Sequence, residues 1–182
     1  MRVIAGEFRG RRLASARANG LRPTADRVRE ALFSILGSDV EDARVLDLYA
    51  GTGALALEAM SRGAESAVCV ERSAAALGAL ERNVRDLGLG ERVAIERGDV
   101  LAFARRLRGE TDRFDVVFCD PPYADPLEPV LESVVAERWW TRAAVVEHAA
   151  SRRPATMPGT EVDTRRYGDT GISIFRRVVG SR

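Results

Sequence analysis

Asp120, Pro121, Pro122 and Tyr123 are the residues of this chain whose types and spacing could do chemistry. They follow an apolar run, Phe114-Asp115-Val116-Val117-Phe118-Cys119, that predicts a buried strand. Two successive prolines lack backbone N–H groups and hold the chain extended, so their carbonyls point outward at fixed angles. The loop thus offers a carboxylate and a carbonyl to one planar NH2 group, with an aromatic ring to stack on the ring that carries it. An exocyclic amine of a nucleobase is a weak nucleophile, because its lone pair is delocalised into the ring. Two acceptors favour its pyramidal form and oppose the positive charge that grows when a methyl group arrives. Stacking on Tyr123 would contribute roughly 1–3 kcal/mol. Asp-Pro and Pro-Pro also make ordinary turns, so the tetrapeptide needs a context.

That context must come from the elements that position it. Arg44–Tyr49 predicts a short buried strand, followed by Ala50-Gly51-Thr52-Gly53-Ala54-Leu55-Ala56 and a helical pattern to about Arg62. A strand, a glycine turn and a helix make the first crossover of a nucleotide-binding α/β unit. Glycines at 51 and 53 would let the backbone approach a ligand. A second strand, Ser66–Val70, ends in Glu71, 18 residues after Gly53, where an acid can take the two hydroxyls of a ribose. A third, Val93–Arg97, leads to Gly98 and Asp99, which could accept from an adenine amino group. The strand before Asp120 is the fourth. Each acid alone fits a solvated loop or a helix cap; acids at four successive strand ends would line one edge of one sheet, where open α/β folds bind ligands.

The arrangement resembles the class I methyltransferases that use S-adenosylmethionine. The resemblance implies a Rossmann-like α/β fold with a seven-stranded, mostly parallel sheet whose last strand is antiparallel. It implies cofactor contacts from Asp47, Ala50, Gly51, Thr52, Gly53, Glu71, Arg72, Asp99 and Val100. The target amine would be held by Asp120, Pro121, Pro122 and Tyr123. Such a tetrapeptide marks enzymes acting on adenine N6, cytosine N4 or guanine N2, without choosing among them.

The N-terminal segment narrows the choice. Residues 1–30 carry eight Arg against three acids, whereas the rest carries twenty Arg against twenty-four. Arg pairs bidentately with phosphate and stacks on bases, so Arg9, Arg11, Arg12, Arg17 and Arg22 read as a nucleic-acid contact arm. The chain has no Lys, so part of this density is compositional. The run Arg2–Leu13 (RVIAGEFRGRRL), followed by Leu21–Phe33 with Leu-Arg-Pro-Thr-x-x-Arg-Val-Arg-Glu, is similar to the RsmD family, bacterial methyltransferases of guanine N2 in small-subunit ribosomal RNA. The similarity extends from Arg2 to about Arg177. It implies RNA contacts from Arg9, Arg11, Arg12, Arg22, Thr24 and Arg27, with ribosomal RNA in a partly or fully assembled small subunit as partner. A DNA adenine or cytosine methyltransferase is the alternative, although the chain is short for a separate sequence-reading domain. A nicotinamide dehydrogenase or a non-catalytic nucleotide binder on the same fold would leave Asp-Pro-Pro-Tyr unexplained.

Residues 2–13 suit a small hairpin, giving a basic extension over residues 1–20 ahead of a catalytic domain over 21–182. Thr24 is expected to N-cap a helix whose apolar side carries Val28, Ala31, Leu32, Ile35 and Leu36; Arg29 is expected in solvent. Further helices fit Ser73–Leu87, Val100–Leu107 and Pro126–Glu137. Ala143–His148 reads as a fifth strand, and Glu161–Tyr167 with Gly171–Arg177 as an antiparallel hairpin. Cys69 and Cys119 would flank the first strand roughly 9.6 Å apart, too far for a disulfide. Reduced cysteines and the lack of a signal peptide or apolar span fit a cytoplasmic protein. A monomer is expected, without a metal. His148 and Trp139-Trp140 are expected to be structural.

Overall fold

Alternating side chains along the central strands sort the core into two layers. Val45, Val116, Phe118, Ala143, Val145, Ile172 and Ile174 face one side of the sheet with residues of three helices, whereas Leu46, Leu48, Val117, Cys119, Ala144, Val146 and Phe175 face the other. A strand buried on both faces has to be apolar at every position, which is why these runs read as continuous rather than alternating. The computed structural model describes residues 1–15, 23–107, 113–122, 128–130, 132, 139–152, 154 and 156–178. In chain order the elements are α1 (Pro23–Leu36), a 3-10 turn (Gly37–Val40), β1 (Arg44–Leu48), α2 (Ala54–Ser61), β2 (Ser66–Glu71), α3 (Ala74–Asp86), β3 (Val93–Arg97), α4 (Val100–Ala104), β4 (Phe114–Cys119), α5 (Glu128–Val130), β5 (Trp140–Ala149), β6 (Thr160–Tyr167) and β7 (Thr170–Arg177). Of the helix expected over Pro126–Glu137 only α5 is described; the rest lies outside the described residues.

The seven strands lie in the order β3-β2-β1-β4-β5-β7-β6. The first five pair in parallel, and β7 is inserted antiparallel between β5 and β6. The strand order reverses beside β1, so the carboxyl ends of β1, β2, β4 and β5 border one crevice, the usual binding edge of such sheets.

Residues 2–13 do close as a hairpin, through the Arg2–Arg12 bridge and the Val3 N–H on the Arg11 carbonyl at 3.0 Å. It lies over α2 and explains why that short helix is buried nearly all round. The Ile4 and Ala5 N–H groups donate to the carboxylate of Glu58, itself fully buried, at 2.7 and 3.1 Å. Phe8 N–H donates to the Ser61 hydroxyl at 2.9 Å. Gly6, at φ +80°, is required by this contact, since a Cβ there would stand 1.7 Å from the Ser61 carbonyl oxygen. Val3 and Leu13 join the core.

Three expectations are corrected by the fold. Thr24 does not N-cap α1: the helix already includes Pro23, whose fixed φ and missing N–H suit a first helical position. Arg29 is not in solvent but 5% exposed, held by Asp26 at 3.1 Å and Glu58 at 3.7 Å and donating to the Arg2 carbonyl. The fifth strand begins three residues early, at Trp140, and Phe114 N–H donates to the Trp139 carbonyl at 2.8 Å. Both tryptophans are buried, Trp139 edge-on to Phe114 and Trp140 beneath the Arg177 guanidinium. His148 is also structural: buried, its ring nitrogens pair with the Ser173 hydroxyl and the Ala149 carbonyl, both at 2.9 Å. Cys69 and Cys119 are buried free thiols on β2 and β4, either side of β1.

Candidate active site

At the carboxyl edge of the sheet lies a cleft of about 930 Å³, within the roughly 300–1,000 Å³ typical of small-molecule sites. One half is lined by Tyr49, Ala54, Leu55, Glu71, Arg72, Ser73, Gly98 and Val100. The other is lined by Asp120, Pro121, Pro122, Glu147, Thr170 and Ile172, with Val28, Arg29 and Leu32 of α1 and Met1 closing over them.

In the first half, backbone amides and acids hold one another in place. Glu71 accepts from Gly51 N–H on one oxygen at 2.8 Å, and from Arg72 and Ser73 N–H on the other at 2.8 and 2.7 Å. The tip of β2 is thereby tied to the glycine turn, with the carboxylate still at the cleft surface. Gly51 has φ +57° and open space where a Cβ would be, so its freedom serves the turn itself. Gly53, at φ +82°, also needs this freedom, and a Cβ there would in addition stand 2.4 Å from Leu80 Cδ1. Thr52 turns its carbonyl to the Asn83 side chain at 2.9 Å, and Asn83 also pairs with Ala14, joining the turn to the hairpin segment. Ala50 is buried and donates to the Val70 carbonyl at 3.0 Å.

Two of the predicted acids are engaged with the start of a helix. Asp47 is 1% exposed and accepts from Ala56 N–H at 3.0 Å, anchoring the start of α2. Burial raises its carboxyl from 3.8 to about 7; the Ala56 hydrogen bond opposes this and the Glu71 charge adds to it. Asp99 N-caps α4 through Ala102 N–H at 3.0 Å and stands 3.9 Å from Arg72 in an exposed pair. Val100, next to it, lines the cleft.

In the second half, Asp120 leaves β4 with its backbone N–H on the Leu48 carbonyl at 3.4 Å. Its carboxyl is exposed to the open cleft yet ringed by protein, and its proton affinity is raised, first by desolvation, then by the charges of Glu147 and Asp47. Cleft water offsets part of the desolvation, while Glu147, lining the same cleft, keeps the shift upward. Pro121 is buried and Pro122 exposed. Tyr123 and Arg22 lie outside the described residues, as does Arg17, and Thr24 is placed only as backbone in the first turn of α1.

Among the basic candidates, Arg9 and Arg12 are exposed on the hairpin and Arg27 on α1. Arg11 is exposed but donates to the Asp86 carbonyl at 2.7 Å, at the end of α3 where the helix dipole favours a cation. Sequence reasoning missed Tyr49, Arg29 and Glu147 as cleft residues. Tyr49 carries φ +63°, strained for a non-glycine residue, and nothing in its sequence neighbourhood signals this. Glu147 had a signal: it is the acid near the end of a fifth parallel strand.

The sheet order with a single reversed strand, the glycine turn after β1 and the acid at the tip of β2 define a Rossmann-like class I methyltransferase. The family model described as "conserved hypothetical protein 95" matches residues 1–176. Ribosomal RNA small subunit methyltransferase D of Haemophilus influenzae is 35% identical over 161 residues, 87% of this chain and 83% of that protein. A solved structure of a hypothetical protein from Thermus thermophilus is 31% identical and superposes with a TM-score of 0.79, covering 98% of this chain and 99% of that one. The magnesium protoporphyrin IX methyltransferase of Synechocystis PCC 6803, solved with bound SAM, shares the fold alone: 17% identity and TM-score 0.65, covering 87% and 82%. The chain belongs to this matched family, the RsmD family of methyltransferases.

Proposed function

We propose that this enzyme transfers a methyl group from S-adenosylmethionine to the exocyclic N2 of one guanine in small-subunit ribosomal RNA. The observation that carries the reading is the Asp120-Pro121-Pro122 loop, opening into the same cleft as Glu71 and the loops after β2 and β3. Residues present in the first half fit the cofactor. Glu71 would take the ribose hydroxyls, with its geometry already fixed by three backbone N–H groups. Gly51 with Ala50, Thr52 and Gly53 would shape the methionine end and Asp47 would brace it. Arg72, Asp99 and Val100 would border the adenine.

S-adenosylmethionine supplies an electrophilic methyl group on a sulfonium sulfur. The protein's own part is to hold the amine. Asp120 and the Pro121 carbonyl accept from the two N2 hydrogens, directing the nitrogen lone pair out of the base plane, Pro122 borders the base, and the aromatic residue type of Tyr123 suits stacking on it. As the nitrogen gains its methyl group it becomes positive, and Asp120 opposes that charge. The nitrogen then gives one proton to Asp120, whose raised proton affinity makes it a better acceptor than an ordinary carboxylate. No metal enters this scheme. The target base must be unpaired or flipped out to present N2.

In this reading residues 1–20 are the RNA-contacting extension and 21–182 the catalytic domain. Arg9, Arg11, Arg12, Arg22, Thr24 and Arg27 would engage the RNA backbone, supported by the exposure of Arg9, Arg12 and Arg27 and by Met1 at the cleft mouth. So short an arm has little surface for reading sequence, which favours a substrate presented within a partly or fully assembled subunit. The enzyme would act as a cytoplasmic monomer. The test is transfer of labelled methyl to small subunits from a strain lacking this protein, followed by nucleoside analysis. N2-methylguanosine at one site is expected; methylated adenine or cytosine, or incorporation into duplex DNA instead, would overturn the assignment.

A further inference from the structure

Glu147 lines the cleft and has no part in the scheme above. β4 and β5 run in parallel with Cys119 opposite Val146, so Asp120, the first residue past β4, comes beside Glu147, which is still within β5 and paired with Ile172 of β7. The flanking Val146 and His148 are buried, leaving Glu147 as the residue of this stretch that lines the cleft. Their proximity is felt electrostatically, Glu147 being the largest charge acting on Asp120.

One carboxylate suffices to hold an NH2 group. Two side by side suit an edge that presents two adjacent donors, and the amino bases differ on this point. The N2 amine of guanine is flanked by N1–H, a second donor. The N6 amine of adenine is flanked by N1, and the N4 amine of cytosine by N3, both of them acceptors. A carboxylate beside the amine site meets a hydrogen on guanine and a lone pair on the other two. An acceptor facing an acceptor in this way costs enough to reject a base, because a site built to bond a donor penalises a ligand that lacks it.

We propose that Glu147 is the specificity-determining residue of this site, accepting a hydrogen bond from guanine N1–H while Asp120 holds N2. The inference rests on the guanine-N2 reading and adds to it the group that chooses the base. It also gives the neighbouring acids a shared purpose: the guanine edge presents a donor to each, whereas adenine and cytosine present only one.

The experiment compares methyl transfer to RNA substrates, assembled into small subunits where required, carrying guanine or 2-aminopurine at the modified position. 2-Aminopurine keeps the N2 amine but has a lone pair at N1. The native enzyme is expected to favour guanine at least about 100-fold in kcat/KM. Glu147→Gln, whose amide can donate to N1, is expected to bring that preference below about tenfold by gaining activity on 2-aminopurine, with the S-adenosylhomocysteine Kd unchanged. Glu147→Ala is expected to lose discrimination without that gain. Equal use of both bases by the native enzyme overturns the proposal, whatever the variants do. So does a proportional loss on both bases in Glu147→Gln with cofactor binding intact. Absence of N2-methylguanosine from the native enzyme on the guanine substrate is a different failure: it removes the proposed function itself, and this inference with it.

Discussion

Both halves of the cleft use the same device, an acid at the end of a parallel strand, but they treat the acid in opposite ways. At β2, both Glu71 oxygens are occupied by backbone amides. After β3, Asp99 caps a helix, and on β1, Asp47 is withdrawn beneath α2. These acids organise loops. At β4 and β5, Asp120 and Glu147 stand beside each other, and burial together with the Glu147 charge raises the cost of ionising Asp120. The first half is built to be rigid before any ligand arrives. The second keeps an electrostatic conflict that a ligand with donors can resolve, which is what a reacting site requires and a binding platform does not.

The comparison can be broken or sharpened by substitution, starting where the effect is greatest. Asp120→Ala should lower kcat by about 10²–10³-fold and leave the S-adenosylhomocysteine Kd within about twofold; equal losses in both would merge the two halves. Asp47→Asn tests the withdrawn acid. The unfolded chain releases this proton near its ordinary 3.8, whereas the folded protein holds it to about 7. Asp47 therefore contributes stability that is complete below about pH 4 and is lost as pH rises toward 7, by a few kcal/mol at most. Denaturant unfolding of the ligand-free protein across pH 4 to 8 should show that decline, and Asp47→Asn should flatten it. Glu71→Gln should have the smallest effect, weakening S-adenosylhomocysteine binding by about tenfold in titration calorimetry, with kcat at saturating cofactor nearly unchanged.

Much of the sheet was legible because central strands buried on both faces leave apolar runs: β4 begins and ends where its run does. The glycine turn and Asp120 were legible for the same local reason, a special residue directly after a strand. Part of what escaped was non-local. Arg29 looks like a solvated helix residue until Glu58 on α2 and the Arg2 carbonyl on the hairpin close around it, contacts that span 29 and 27 positions. Asp47 and Asp99 carried the right residue type, but a backbone N–H within nine residues competed for each and set its orientation. The packing of Leu80 from α3 against Gly53 was not legible either, since that contact is fixed only by the tertiary fold. Glu147 was missed although its strand was placed, because its significance comes from the register that sets it beside Asp120.

The division of the cleft is the central claim, and the most direct test is a crystal structure of the protein with S-adenosylhomocysteine. The ribose hydroxyls should lie on the Glu71 carboxylate, with the sulfur directed toward Asp120 and no part of the ligand between Asp120 and Glu147. A ligand seated between those two acids, or one whose ribose avoids Glu71, would contradict it.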